Sequence, residues 1–241
     1  MQFNLLQNKT TVFDTRFKGN PRLGKLVERF VSNELKQSNT VEILIENIQI
    51  QDNKITLGEL DCLLLKDKKP IHLEIIYKFY LYNSSEGSRE IEHWIGPNKK
   101  DSLHQKLTKL TQKQLPLLYN PKTKPLLNSL NLSAEEITQQ VYFKAQLFVP
   151  LKDYGKSFLL INNNCITGFY IPYSEISLFE DCKFHIPTKH NWLVTPHKDI
   201  DWLTFNNFKT AVFEFINDER APLCWLKKPN GELFKFFVVW W

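Results

Sequence analysis

The sequence lacks the signatures of several common enzyme classes. It has no glycine-rich phosphate loop of Walker type, no GxSxG and no HExxH, so the motifs of P-loop nucleotide hydrolysis, the nucleophile elbow and zinc peptidases are missing. Only four cysteines occur, Cys62, Cys165, Cys182 and Cys224, far apart and without a CxxC pair. Reduced, mostly buried thiols are expected rather than disulfides or structural zinc. Cys182, His185 and His190 come nearest to metal spacing but lack a fourth ligand. No apolar run reaches the ~20 residues that span a bilayer, so no membrane association is expected. The opening stretch Met1 to Lys9 has no apolar segment of signal-peptide type, and a cytoplasmic protein is expected. Low-complexity segments, internal repeats and a clean linker are also missing.

What is present suits a folded protein with a substantial core: 241 residues, 42% hydrophobic and 24% charged. The net charge of +5 is unevenly spread. Between Asn98 and Pro125, Lys99, Lys100, Lys106, Lys109, Lys113, Lys122 and Lys124 face a single acid, Asp101. Such a segment can neutralise nucleic-acid phosphates; a solvated helix face followed by a loop is the plainer alternative.

Apolar periodicity orders the first half. Leu23, Leu26, Val27, Phe30, Val31 and Leu35 predict a helix from Pro21 to Lys36, with Glu28 at the edge of its apolar face. Three strands follow, Val41 to Ile50, Ile55 to Leu65 and Ile71 to Leu81, with connections short enough for an antiparallel meander. After Trp94-Ile95-Gly96-Pro97-Asn98 a second helix is expected from Asp101 to Gln114, ended by Pro116, then a loop to Leu130. Ser133 and Glu136 have capping-box spacing, and Val141 to Val149 reads as a strand. A crossover helix would set the third and last strands parallel. In the second half, Ser157 to Ile161 and Cys165 to Ile171 flank one hairpin signal. Leu223 to Lys227 and Leu233 to Val239 flank another, and a helix is expected from Trp202 to Ile216.

Two acids stand out. Asp61 lies in the apolar run Leu57 to Leu65, and Glu74 lies in the run Ile71 to Leu81. Carboxylates embedded in strands are costly to desolvate unless paired. On adjacent strands, with Lys78 further along the second, they can hold a divalent metal against a phosphate. The alternative is a structural pair satisfied by Lys78, His72 or backbone. Glu59 shares the parity of Asp61 and reads as a strand-end charge or an outer acid. His72 shares the face of Glu74, within hydrogen-bonding reach. The aromatics Trp192, Trp202, Trp225, Trp240 and Trp241 could stack bases, but burial in the β-rich half is the more economical reading.

The helix-strand-strand-strand-helix-strand order, with an acid on the second strand and Glu plus Lys on the third, resembles the PD-(D/E)XK nuclease superfamily. Three segments look more narrowly like the bacterial domain of unknown function 1853. They are Arg22 to Phe30, Leu57 to Asp61 with His72 to Leu81, and Trp94 to Asn98 with Asp101 and Lys106. The resemblance implies an α/β fold with a restriction-endonuclease-like αβββαβ core and a mixed central sheet over 1–150. A β-rich C-terminal half, 151–241, would pack on it. It also implies a metal-dependent nuclease hydrolysing nucleic-acid phosphodiesters. Asp61 and Glu74 would hold Mg2+ or Mn2+, Glu28 would be an auxiliary ligand, and Lys78 would act on the attacking water or the phosphate. Lys99, Lys100, Lys106, Lys109 and Lys113 would guide the nucleic acid, and a homodimer is possible by analogy. One departure stands: the superfamily's usual lysine position is Ile76 here, and Lys78 lies four residues after Glu74. Lys106 is an alternative source of that charge. The rival is a nucleic-acid-binding or protein-interaction module with an incomplete site.

Overall fold

The computed structural model describes residues 1–4 and 22–241. The predicted helix start at Pro21 lies outside them. The protein is mixed α/β, with a nine-stranded mixed sheet and several helices. Its chain divides into two compact units, Met1–Tyr77 with Lys106–Lys144, and Lys78–Gln105 with Ala145–Trp241.

In the first unit, α1 (Leu23–Lys36) buries Leu26, Val27, Val31 and Leu35, while Phe30 stays on its exposed side. The expected meander forms from β1 (Val41–Asp52), β2 (Ile55–Lys66) and β3 (Lys69–Tyr82), all antiparallel. Its turns are dictated locally. Asp67 and Lys68 both take positive φ, +49° and +63°, the mirror-image turn whose twist matches the flanking strands. Pairing of β2 with β3 runs from Lys66 opposite Lys69 to Cys62 opposite Leu73, and Asp61 is the next residue.

The second helix is shorter and more varied than expected. The α-helical part, α2, covers Leu103–Lys109. Leu110–Gln114 then widens into a π-turn, a form found mostly as a single turn and often at functional positions. Pro116 does not end the run: it sits in the first turn of a 3-10 segment, Leu115–Tyr119, where its missing N–H costs nothing. The expected loop contains α3 (Lys124–Ser129). Leu117, Leu118 and Leu127 close a core with Ile50, Leu60, Leu63 and Ile137. The Ser133–Glu136 capping box does not form: the Ser133 hydroxyl bonds the Glu135 carboxylate instead, ahead of a single 3-10 turn.

In the second unit, β4 (Trp94–Ile95) pairs with the end of β3. After β5 (Thr138–Pro150) come β6 (Ile166–Pro172), β7 (Lys183–His185), α4 (Phe205–Asn217), β8 (Leu223–Lys227) and β9 (Leu233–Val239). Strand order is β1-β2-β3-β5-β6-β9-β8-β7. β6 runs parallel to β5 and β9, and β8–β9 is the hairpin expected around Pro229-Asn230-Gly231. The other expected hairpin is overturned, since 157–161 is not a strand. The Asn163 side chain bonds both backbone groups of Phe158, and the amides of Leu159 and Leu160 go to Glu90. With those groups taken, no ladder to β6 is left to make. The expected α4 starts at Phe205 rather than Trp202, whose indole N–H donates to the Lys198 carbonyl.

Candidate functional site

The β2–β3 ladder stops where Asp61 begins, because Asp61 Oδ2 accepts the Ile75 amide at 2.8 Å. A side-chain acceptor replaces a backbone one, and the two strands present their carboxyl groups at that point. On α1, Glu28 lies one turn after Lys25. Oxygen atoms of Glu28, Glu59 and Asp61 come within 4.8 Å of one another, the one group of three potential metal-ligating side chains among the described residues. Glu59 and Asp61 project from the same face of β2 because strand side chains alternate.

Lys25 enters this cluster. Its Nζ donates to Glu28 Oε2 at 2.7 Å, to Asn47 Oδ1 at 3.0 Å and to the Glu59 carboxylate. Asn47 reaches it from β1 with φ at +54°, a left-handed conformation that asparagine tolerates better than most residues. It falls between the pairs Glu46–Cys62 and Ile48–Leu60, level with Asp61. A cleft of about 330 Å³ opens beside the cluster, lined by Glu28, Arg29, Ser32, Asn33, Lys36, Glu46 and Asn47.

Glu74 is set behind these groups and is fully buried. Gln114 donates to its Oε2 at 2.5 Å, and Gln114 Oε1 accepts from Lys106 at 2.6 Å. The π-turn thus carries a lysine's influence to the carboxylate through an amide. His72 Nε2 lies 3.1 Å from Glu74 Oε1. Its Nδ1 faces the Gln139 amide nitrogen at 3.0 Å, and that nitrogen also donates to the Leu115 carbonyl. A nitrogen that accepts from Gln139 puts the ring proton on Nε2, so His72 donates to Glu74.

The electrostatics follow from crowding. Burial, then the charge of Glu74, raise the Asp61 pKa from its ordinary carboxylate range to about 7, against the Ile75 hydrogen bond. Burial also raises Glu28, outweighing Lys25 beside it, and Glu59 and Glu74 push the same way. Burial lowers Lys25, but its bonds to Glu28 and Glu59 outweigh this and leave its pKa raised. Asp61 and Glu28 therefore resist ionisation, and the hard oxygen donors of the cluster suit a divalent cation of the magnesium type.

Of the residues singled out from sequence, Glu28 and Asp61 meet directly, and Glu74 adds its field from behind. Glu59, read as a strand-end charge or an outer acid, belongs in the cluster; its parity with Asp61 is the signal in the sequence. Lys25 and Asn47 were missed. Lys25 stands three residues before Glu28, the spacing that puts both on one helix face. Lys78 Nζ bonds Asp101 Oδ2 at 2.6 Å, and Ile76 is 3% exposed. The basic segment is divided: Lys99 and Lys100 belong to the second unit, Lys106, Lys109 and Lys113 to the first. Lys99 pairs with Glu86 and lies over the Trp241 ring, whereas Lys109 and Lys113 are exposed. The cysteines are free, and Cys62, Cys182 and Cys224 are buried. No helix among the described residues is long and apolar enough to cross a membrane.

Neither a curated protein nor a solved structure matches the chain. The family described as "Domain of unknown function (DUF1853)" matches residues 6–239, so nearly the whole chain is accounted for and the protein belongs to that family.

Proposed function

We propose that this protein is a metal-dependent nuclease of the PD-(D/E)XK type, acting on nucleic-acid phosphodiesters. The carrying observation is the approach of Glu28, Glu59 and Asp61 to within 4.8 Å of one another at the end of the β2–β3 ladder. The donor set fits Mg2+ or Mn2+: Asp61, Glu59 and Glu28 would hold the ion, with Glu74 as a further acid behind Asp61. Bound there, the ion would supply Lewis-acid polarisation of a phosphoryl oxygen and a more acidic water. The residues' own work is separate. The Ile75 amide fixes the Asp61 carboxylate, and His72 and Gln114 fix Glu74. The cleft lined by Glu28 and Asn47 would admit an extended phosphodiester beside Glu28. Exposed Lys109 and Lys113 offer charge to a nucleic-acid backbone.

The test is cleavage of single- and double-stranded DNA and RNA with Mg2+ or Mn2+, alongside calorimetric titration with Mn2+. Wild-type protein is expected to bind Mn2+ and to cut at least one substrate. Asp61→Ala should lower cleavage by about 10²-fold or more. An Asp61→Ala protein that retains full metal-dependent cleavage overturns this mechanism.

A second reading is favoured by one observation. Ile76 is buried where the superfamily's lysine usually stands, and Lys78 is engaged by Asp101. In this reading the scaffold binds nucleic acid without cutting it. Salt-sensitive binding with no cleavage under either metal would select it.

A further inference from the structure

Resting on the metal-binding reading above, we infer that Lys25 is a built-in counter-ion that occupies the cation's place in the metal-free protein and is displaced when a divalent ion binds. The ammonium bonds Glu28, Glu59 and Asn47 together. Two of these are carboxylates of the three-acid group. An ammonium needs its oxygen partners at about 2.7–3.0 Å, whereas magnesium takes oxygens at ~2.1 Å. One oxygen atom cannot hold both cations at their own distances, and two positive charges so close repel. A divalent ion that takes oxygens of Glu28 and Glu59 weakens the ammonium's two anionic contacts and pushes it outward.

The lysine is placed to leave. Its side chain is 48% exposed, against 15% for Glu28 and 27% for Glu59, so the acids are walled in and the cation is not. Lys25 lies in the first turn of α1, next to Gly24, where even an added Cβ would meet nothing within 4 Å. A four-carbon stem can swing from the acids into solvent without disturbing the helix. Metal-free, the cluster keeps one positive charge; metal-bound, the lysine is left beside the site with its charge unspent.

Two measurements on the full chain test this. Calorimetric titration with Mn2+ compares wild type, Lys25→Met and Lys36→Met. Lys36 serves as the control because it pairs with Glu46 instead. Removing the competing ammonium should tighten Mn2+ binding about 3- to 10-fold, the scale of one partly exposed ion pair or two, while Lys36→Met should leave it unchanged. Independently of any substitution, acetylation of wild-type lysines read by mass spectrometry should show Lys25 labelled several-fold faster with Mg2+ than without it. Equal or weaker Mn2+ affinity in Lys25→Met, or Lys25 labelling indifferent to Mg2+, overturns the inference and leaves the metal site standing. Absence of Mn2+ binding in both wild type and Lys25→Met overturns the metal reading itself and the inference with it.

Discussion

Two charged regions of this protein are built from the same residue types and handle charge in opposite ways. In the first unit, Glu28, Glu59 and Asp61 converge around one lysine, with the buried Glu74 behind them. Burial and mutual repulsion raise Asp61 to about 7. In the second, Lys78 and Asp101 pair one to one, with side chains 37% and 40% exposed. The surrounding Trp94-Ile95-Gly96-Pro97-Asn98 segment spends its polar groups on scaffolding. Asn98 accepts from the Ala221 amide, Pro97 from the Trp241 indole, and the Gly96 amide donates to the Asp101 carbonyl. A satisfied pair explains itself by the structure it holds. Crowded acids oppose one another, and in the proposed function a cation would complete them.

The largest expected effect breaks the comparison at Asp61. Asp61→Asn keeps an acceptor for the Ile75 amide and removes the charge. The sign is set by linkage: a carboxyl near 7 when folded and near 3.8 when unfolded means that folding takes up a proton between those values. The contribution of Asp61 to metal-free stability is therefore greatest below pH ~4, falls as pH rises towards 7, and levels off above it. At pH 8, Asn should recover on the order of 3 kcal/mol, or roughly 6–12 °C in Tm for a chain of this size. Saturating Mg2+ should remove most of this loss between pH 4 and 7 and do little for the variant. All six tryptophans lie in the second unit, so hydrogen exchange of β2 and β3 peptides is the measurement for the first. If the variant proves less protected than wild type at pH 8, the acids are not in conflict.

Next comes Gly96→Ala, which strikes the other region. A Cβ there would lie 2.0 Å from Asp101 Oδ1 and 3.3 Å from the Asp101 carbonyl oxygen, so Asp101 must leave Lys78 or the turn must shift. The expected cost is about 1–3 kcal/mol, read as an earlier tryptophan-fluorescence transition in urea. Mn2+ affinity, which the proposed function assigns to the first unit, should stay at the wild-type value. A change in that affinity would mean that the two regions do not act separately.

The same contrast explains what the sequence disclosed. The meander was legible because alternation and short turns are local: Asp67 and Lys68 alone set the β2–β3 connection. Asp61 and Glu74 were legible because a charge in an apolar strand breaks its pattern. Glu59 and Lys25 were not, since a charge at a strand end or in a helix's first turn looks solvated until a third element approaches. The failed hairpin has the same cause in reverse. Asn162-Asn163-Asn164 carries a turn signal, but Asn163 closes on Phe158 with its own amide, and propensity cannot tell a backbone acceptor from a side-chain mimic. Asn163→Ala should therefore cost about 1 kcal/mol, the net worth of one or two hydrogen bonds, seen as faster exchange in peptides around Phe158.

The smallest effect is the most discriminating. Asp101→Asn makes the same chemical change as Asp61→Asn, in a setting where the carboxylate is wanted. Lys78 loses its counter-charge, yet both side chains are more than a third exposed, so water and salt stand in for the lost partner. The carbonyl of Asp101 still accepts the Gly96 amide, because that bond belongs to the backbone. Asp101→Asn should thus destabilise the second unit by no more than ~1 kcal/mol, and less at 0.5 M salt than at 0.05 M. Substitution at Asp61 should raise metal-free stability at pH 8, and substitution at Asp101 should lower it slightly. Opposite signs from one Asp→Asn exchange would separate a carboxylate kept for a ligand from one kept for the fold. Equal signs would place both regions in the fold's own service and remove the physical case for a metal at Asp61.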